Sequence, residues 1–210
     1  MHAELTVRWG RRFTTAMEAL RRAEWLGGQE GETHDEFDLL SQHLTVSIDG
    51  TLVGVVRTTT APPSVLKAWS NGQAPLPYGP AVAEITRGVI AASARGLGLY
   101  SLAMLETVLR LPALGVRAAT AAIEPHFVGR RFLGELGFTP VGPPIPFDDR
   151  PRRGTIVQCL LLPIDARSEA SWSAMRHALI RRLGELGYRV DSDLEMSLAA
   201  PTAARSVAVS

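Results

Sequence analysis

Residues 43–48 alternate apolar and polar side chains, with Leu44, Val46 and Ile48 pointing one way, and the alternation resumes over 52–60. Asp49-Gly50 stands between the two runs and is a strong two-residue turn signal, so the spacing predicts a β-hairpin. Residues 3–9, 82–90, 116–123, 138–141 and 155–162 read as further strands. A helical period appears over 14–25, with Met17, Leu20 and Ala23 on one face and Gly27-Gly28 as the stop. It returns over 99–111 (Leu102, Leu105, Val108, Leu109), over 127–136 before Gly137, and over 168–186 (Trp172, Met175, Leu179, Leu183). Residues 29–40 are polar. Residues 61–80 hold five prolines and two glycines and read as a long loop. Residues 140–153 read as a Pro-rich connection.

The resulting order is β-α-β-β-loop-β-α-β-α-β-β-α. A hairpin followed by alternating strands and helices predicts the α/β class, with a mixed sheet covered on both faces. One domain is expected over 1–190. From 191 to 210 the chain is polar and rich in Ala and Ser, which suggests a flexible C-terminal tail.

Composition narrows the function classes. Lys+Arg 22 against Asp+Glu 21 gives a net charge of +1, with no broad footprint for nucleic acid or an anionic membrane. Lys67 is the sole lysine. Cys159 is the sole cysteine and lies in an apolar strand, so it reads as core. No apolar run reaches the roughly 20 residues of a membrane span, and the N-terminus lacks a signal-peptide layout. A cytoplasmic protein is expected. The histidines lack metal-ligand spacing, so no metal is expected.

Candidate chemistry sits in a few places. Arg95-Gly96-Leu97-Gly98 lies between a strand and a helix. Glycines let the backbone approach an anion, and the first amides of a helix point outward at its positive end, a combination suited to phosphate. The plain alternative is a turn using glycine for its φ angles. A second element is Leu136-Gly137-Phe138, where glycine stops a helix and a strand begins. A third is a set in sequence order: Trp25, Asp35-Glu36-Phe37-Asp38, Arg57, and Glu84-Ile85-Thr86-Arg87.

Together these motifs resemble the GNAT acyltransferases. The stretch from Arg95 through Gly96, Leu97, Gly98 and Leu99 to Tyr100 is similar to that family's pyrophosphate loop, and Leu136-Gly137-Phe138 is similar to its closing motif. The third set resembles the branch comprising autoinducer (acyl-homoserine lactone) synthases and long-chain N-acyl amino acid synthases. Arg131-Phe132-Leu133 and Val141-Gly142-Pro143-Pro144 extend that similarity over roughly residues 10–165. Three positions differ from the family pattern: Tyr100 replaces a small residue, Gly88 replaces the aromatic that follows the strand arginine, and Pro125-His126 stands where an Asn usually precedes the closing helix.

The resemblance implies a GNAT fold whose central sheet is splayed at the strand carrying Glu84 and Arg87. Regular pleating would send residues three apart to opposite faces, so shared work by this pair requires a β-bulge. The alternative is a regular strand with one rim ion pair. The implied reaction is transfer of an acyl group from acyl-CoA or an acyl carrier protein's phosphopantetheine to the amine of an amino acid or S-adenosylmethionine. Glu84 and Arg87 would be the catalytic residues, Glu84 as the base. Trp25, Asp35, Asp38 and Arg57 would bind the acceptor, the aspartates holding its cation while Arg57 and Arg87 order the pocket or hold a carboxylate. Residues 95–100 would bind the cosubstrate. Asp35 and Asp38 read equally as a capping cluster, and Arg21 and Arg22 compete for the family's N-terminal arginine. Arg150, Arg152 and Arg153 could meet an acidic carrier, and Trp69 and Tyr78 could cover an acyl slot. Two other readings remain: an acetyl-CoA-dependent GNAT enzyme acting on another small amine, and a non-catalytic GNAT-fold binding domain.

Overall fold

The computed structural model describes residues 2–28, 31, 33–60, 77, 79–149 and 152–194. Most of the predicted 61–80 loop, including Trp69 and Tyr78, lies outside the described residues, as do Arg150, the side chains of Arg152 and Arg153, and residues 195–210.

The elements follow the hydrophobic pattern closely. Strand β1 (Ala3–Gly10) leads to helix α1 (Thr15–Leu26), then to hairpin strands β2 (Gln42–Ile48) and β3 (Thr51–Thr59). Strand β4 (Val82–Ile90), helix α2 (Leu99–Arg110), β5 (Ala118–Ile123) and helix α3 (Arg130–Leu136) come next. The chain continues through β6 (Thr139–Pro140), β7 (Ile145–Asp149), β8 (Arg152–Pro163), helix α4 (Ala166–Glu185) and β9 (Tyr188–Ser192). Among the described residues the strands form one mixed nine-stranded sheet in the order β6-β8-β5-β4-β3-β2-β1-β9, with β7 paired to β8. The β4–β5 and β1–β9 pairs are parallel and the others antiparallel.

The two faces bury different partners. Val53, Val56, Ile85 and Ile90 point toward α2 and α4 in the main core. Val55 and Val89 point the other way, onto Met17 of α1. Helix α2 is buried on nearly every side, between the sheet and α4. The Trp172 indole on α4 donates to the Leu136 carbonyl at 2.9 Å, which ties α4 to the end of α3. Among the described residues no helix is long and apolar enough to cross a membrane.

Three expectations need correction. The 140–153 connection contains a strand, β7. Its Pro146 lies opposite Ile156 on a strand that, among the described residues, pairs only with β8, an edge position where proline is tolerated. The predicted tail begins too early, because Asp191 and Ser192 belong to β9 and Leu194 is buried. Polar residues close the sheet edge there. Ser192 Oγ donates to Glu106 at 2.8 Å, and Asp193 accepts from the Trp9 amide at 2.8 Å and from Arg110. Finally, Ala23 is exposed, whereas Arg21 lies on the buried stripe of α1 beside Met17.

Candidate functional site

Strand β4 departs from regular pleating at Arg87. Val55 pairs with Val89 and Arg57 with Thr86, so Arg87 and Gly88 together face the single residue Val56. This is a β-bulge, and Arg87 takes a φ of 52°, which non-glycine residues rarely adopt. The extra residue changes the facing of the strand. Arg57 donates from Nε to Thr86 Oγ1 at 3.0 Å, which fixes Thr86 on the α1 face. Glu84, two residues earlier, shares that face, and the bulge swings the Arg87 side chain onto it as well. Gly88 turns to the opposite face, toward Val56 and Tyr100.

Beside the bulge the sheet opens. Ladder pairs join β4 and β5 from Val82↔Ala118 to Ile85↔Ala121 and then stop, although both strands run on. Glu84 lies at the last turn of pleat before the opening, opposite Thr59 on β3 and Thr120 on β5, and is nearly fully buried. Burial, and secondarily the charge of Glu84, raises the Cys159 thiol. Cys159 thus stays a neutral core residue, packed with Ile145 and Val157.

On the α1 face a charged network surrounds the short 3₁₀ turn Glu36–Leu39. Asp35 caps this turn, accepting from the Phe37 amide at 3.0 Å, while Asp38 Oδ2 accepts from the Asp35 amide at 3.1 Å. The capping reading of the two aspartates therefore holds. The remaining oxygen valence goes to arginines. Asp35 Oδ1 accepts from Arg57 at 2.5 Å and Oδ2 from Arg87 at 2.7 Å. Asp38 Oδ1 accepts from Arg21 at 2.8 Å and lies 3.4 Å from Arg57. Trp25 stacks near two of these guanidiniums, Arg21 at 5.7 Å and Arg87 at 5.6 Å.

The electrostatics follow from burial. Removal from water lowers Arg21 to about 10, against the opposing pull of Asp38. Burial raises the Asp38 carboxyl, but Arg21 and Arg57 outweigh it and leave the group below its ordinary value. His43, 3.2 Å from Asp38 Oδ1, is lowered to about 4 by burial and by Arg21. The network thus holds three guanidiniums, two carboxylates and a neutral imidazole. Nε and Nη2 of Arg21 and Nη2 of Arg57 are buried with no hydrogen-bond partner among the described residues.

The structure brings Trp25, Asp35, Asp38, Arg57 and Arg87 together and chooses Arg21 over Arg22. Arg22 pairs with Glu18 at the half-exposed edge of α1. Sequence reading could have made that choice, since Met17, Arg21 and Trp25 recur every four residues on one helical face. His43 carried no such signal, because it looks like any strand residue until Arg57 is placed opposite it.

The glycine loop also takes shape. Gly96 and Gly98 have φ of 81° and 85°, and Gly98 caps α2 without a side-chain hydrogen bond. The first amides of α2 are thus left for an external acceptor. Leu97 and Leu99 turn into the core, so only their backbones remain available. The Arg95 side chain folds back to the Ile90 carbonyl at 3.3 Å and pairs with Glu24 of α1. Burial pushes the Tyr100 phenol above its ordinary value.

No family model matches the sequence, and no curated protein matches it. Solved structures do. BjaI, a CoA-dependent acyl-homoserine lactone synthase with SAM and isopentyl-CoA, superposes with a TM-score of 0.61 at 17% identity, covering 90% of this chain and 93% of that one. The chain has the GNAT fold. MesI, another CoA-dependent acyl-homoserine lactone synthase, shares that GNAT fold with a TM-score of 0.58 at 15% identity, over 82% of this chain and 95% of its own. A Bacillus subtilis acetyltransferase in complex with CoA gives 0.54 at 13% identity, over 77% and 99%.

Proposed function

We propose that this GNAT-fold chain is an N-acyltransferase that moves an acyl group from a pantetheine thioester to the amine of an amino-acid-like acceptor. The observation that carries the reading is the bulge at Arg87, which gathers Glu84, Arg57, Arg87 and Asp35 on one face where β4 and β5 part. Proteins of similar fold support the same reading, BjaI with SAM and isopentyl-CoA and the Bacillus subtilis acetyltransferase with CoA.

The chemistry needs an acceptor nitrogen with a free lone pair. Glu84 takes a proton from the acceptor ammonium, directly or through water. The neutral nitrogen attacks the thioester carbonyl, the C–N bond forms and the C–S bond breaks. The pantetheine thiolate leaves and takes up the second proton that the new amide nitrogen gives off. A backbone N–H in the parted stretch of β4 steadies the oxyanion. Donor phosphates lie on the Gly96–Gly98 amides at the positive end of α2. The unpartnered guanidinium nitrogens of Arg21 and Arg57 suit an acceptor carboxylate, and Trp25 flanks it. Acyl-CoA and acyl carrier protein present the same arm to this site.

Mass spectrometry of extracts from cells expressing the chain tests the reading, against a Glu84→Gln control. Acylated amines that appear with the wild type and fall by about 10²–10⁴ with Glu84→Gln are the expected result. Equal product from both would remove Glu84 from the reaction.

A further inference from the structure

The Tyr100 ring lies beside Gly88 of β4, past the point where the β4–β5 ladder ends among the described residues. It lies in the first turn of α2, two residues past Gly98. A Cβ built on Gly88 would stand 3.4 Å from Tyr100 Cε2, and one built on Gly129 would stand 2.9 Å from Tyr100 Cε1. These two carbons flank the hydroxyl-bearing end of the ring. That end therefore lies between the β4 bulge on one side and the start of α3 on the other. The two strands feeding those positions are the pair whose ladder ends at Ile85↔Ala121. Phe127 meets the ring edge-on, with centroids 5.2 Å apart, and a Cβ at Gly129 would stand 2.4 Å from Phe127 Cε1. Two glycines thus leave room for a pair of aromatic rings that bridge the walls of the opening.

Resting on the acyltransferase reading, we infer that Tyr100, backed by Phe127, determines donor specificity by closing the α2 side of the β4–β5 opening, so that the site takes short acyl groups. A pantetheine arm that starts at the Gly96–Gly98 amides and reaches Glu84 passes this ring. An acyl chain continuing past the thioester meets packed aromatic carbon, and protein interiors yield little to added methylenes. Gly88 is part of the same arrangement, because a side chain there would meet the Tyr100 ring.

The test compares wild type, Tyr100→Phe, Tyr100→Leu and Tyr100→Ala. Calorimetry measures binding of S-alkyl CoA and S-alkyl pantetheine thioethers from ethyl to dodecyl, and thiol release measures turnover of the matching thioesters. Wild type and Tyr100→Phe should bind the ethyl and butyl compounds best and lose affinity with length. Tyr100→Ala should reverse the trend, each buried methylene adding about three- to four-fold in affinity. Tyr100→Leu should fall between and keeps the inference testable if the alanine variant does not fold. A wild-type preference for long chains, or one length profile shared by all four proteins, overturns the inference and leaves the transferase reading standing. If no compound binds any of them, both fall.

Discussion

Arg87 Nη2 donates to Asp35 Oδ2 at 2.7 Å from a backbone held at φ 52°. A side chain in that region costs of order 1–3 kcal/mol, so the ion pair and the bulge sustain one another. Asp35 also accepts from Arg57, and its loss would take a carboxylate partner from two buried guanidiniums at once. Asp35→Ala should therefore destabilise the protein by about 3 kcal/mol, read from the urea midpoint at constant slope. A change within 0.5 kcal/mol would mean that the network does not hold the bulge.

His43 makes stability depend on pH. Its folded value of about 4 lies below the unfolded 6.5, so the unfolded chain binds the extra proton. Its contribution is complete above pH 6.5 and is lost as pH falls toward 4, by about 3 kcal/mol in total. Asp38, also lowered, loses its contribution in the same direction at still lower pH. Urea midpoints between pH 7 and 4.5 should fall steeply for wild type. They should fall less for His43→Asn, which has no proton to gain.

The glycine loop separates backbone strain from packing. Gly96→Ala meets open space and only the positive φ, whereas Gly98→Ala adds a Cβ 3.1 Å from Leu179 Cδ1. Thermal melts should show a loss of about 1 kcal/mol for the first and a larger loss for the second. On the transferase reading, both should also weaken CoA binding, since each alters amides at the start of α2.

A second buried network provides a contrast. Glu106 on α2 accepts from Arg176 of α4 at 2.6 Å, from Arg110 and from Ser192 Oγ at 2.8 Å. Glu106→Ala leaves two buried arginines without that carboxylate and should cost about 3–5 kcal/mol. Turnover per folded molecule should stay at the wild-type value, because this network pins α4 and β9 to the core and does not reach β4. A matching drop in activity at full folding would join the two networks.

Composition and period by themselves determined the α/β order, the hairpin at Asp49-Gly50, the limits of β4 and the apolar faces of α2 and α4, since those depend on local backbone geometry and on which side chains avoid water. The motif order also named Trp25, Asp35, Asp38, Arg57, Glu84 and Arg87 as a group. The sequence could not place β7 and β9. One lies in a proline-rich stretch and the other is polar, and each is a strand only because a neighbour offers an edge to pair with. Likewise Arg21 and His43 became site residues only when α1 and β2 met around Asp38. Charged groups enter a protein interior when partners from distant segments surround them, and that compensation is a property of the folded chain. The filling of the β4–β5 opening by Tyr100 is of the same kind, because Gly88 and Gly129 are 41 positions apart in the sequence and adjacent only across its ring.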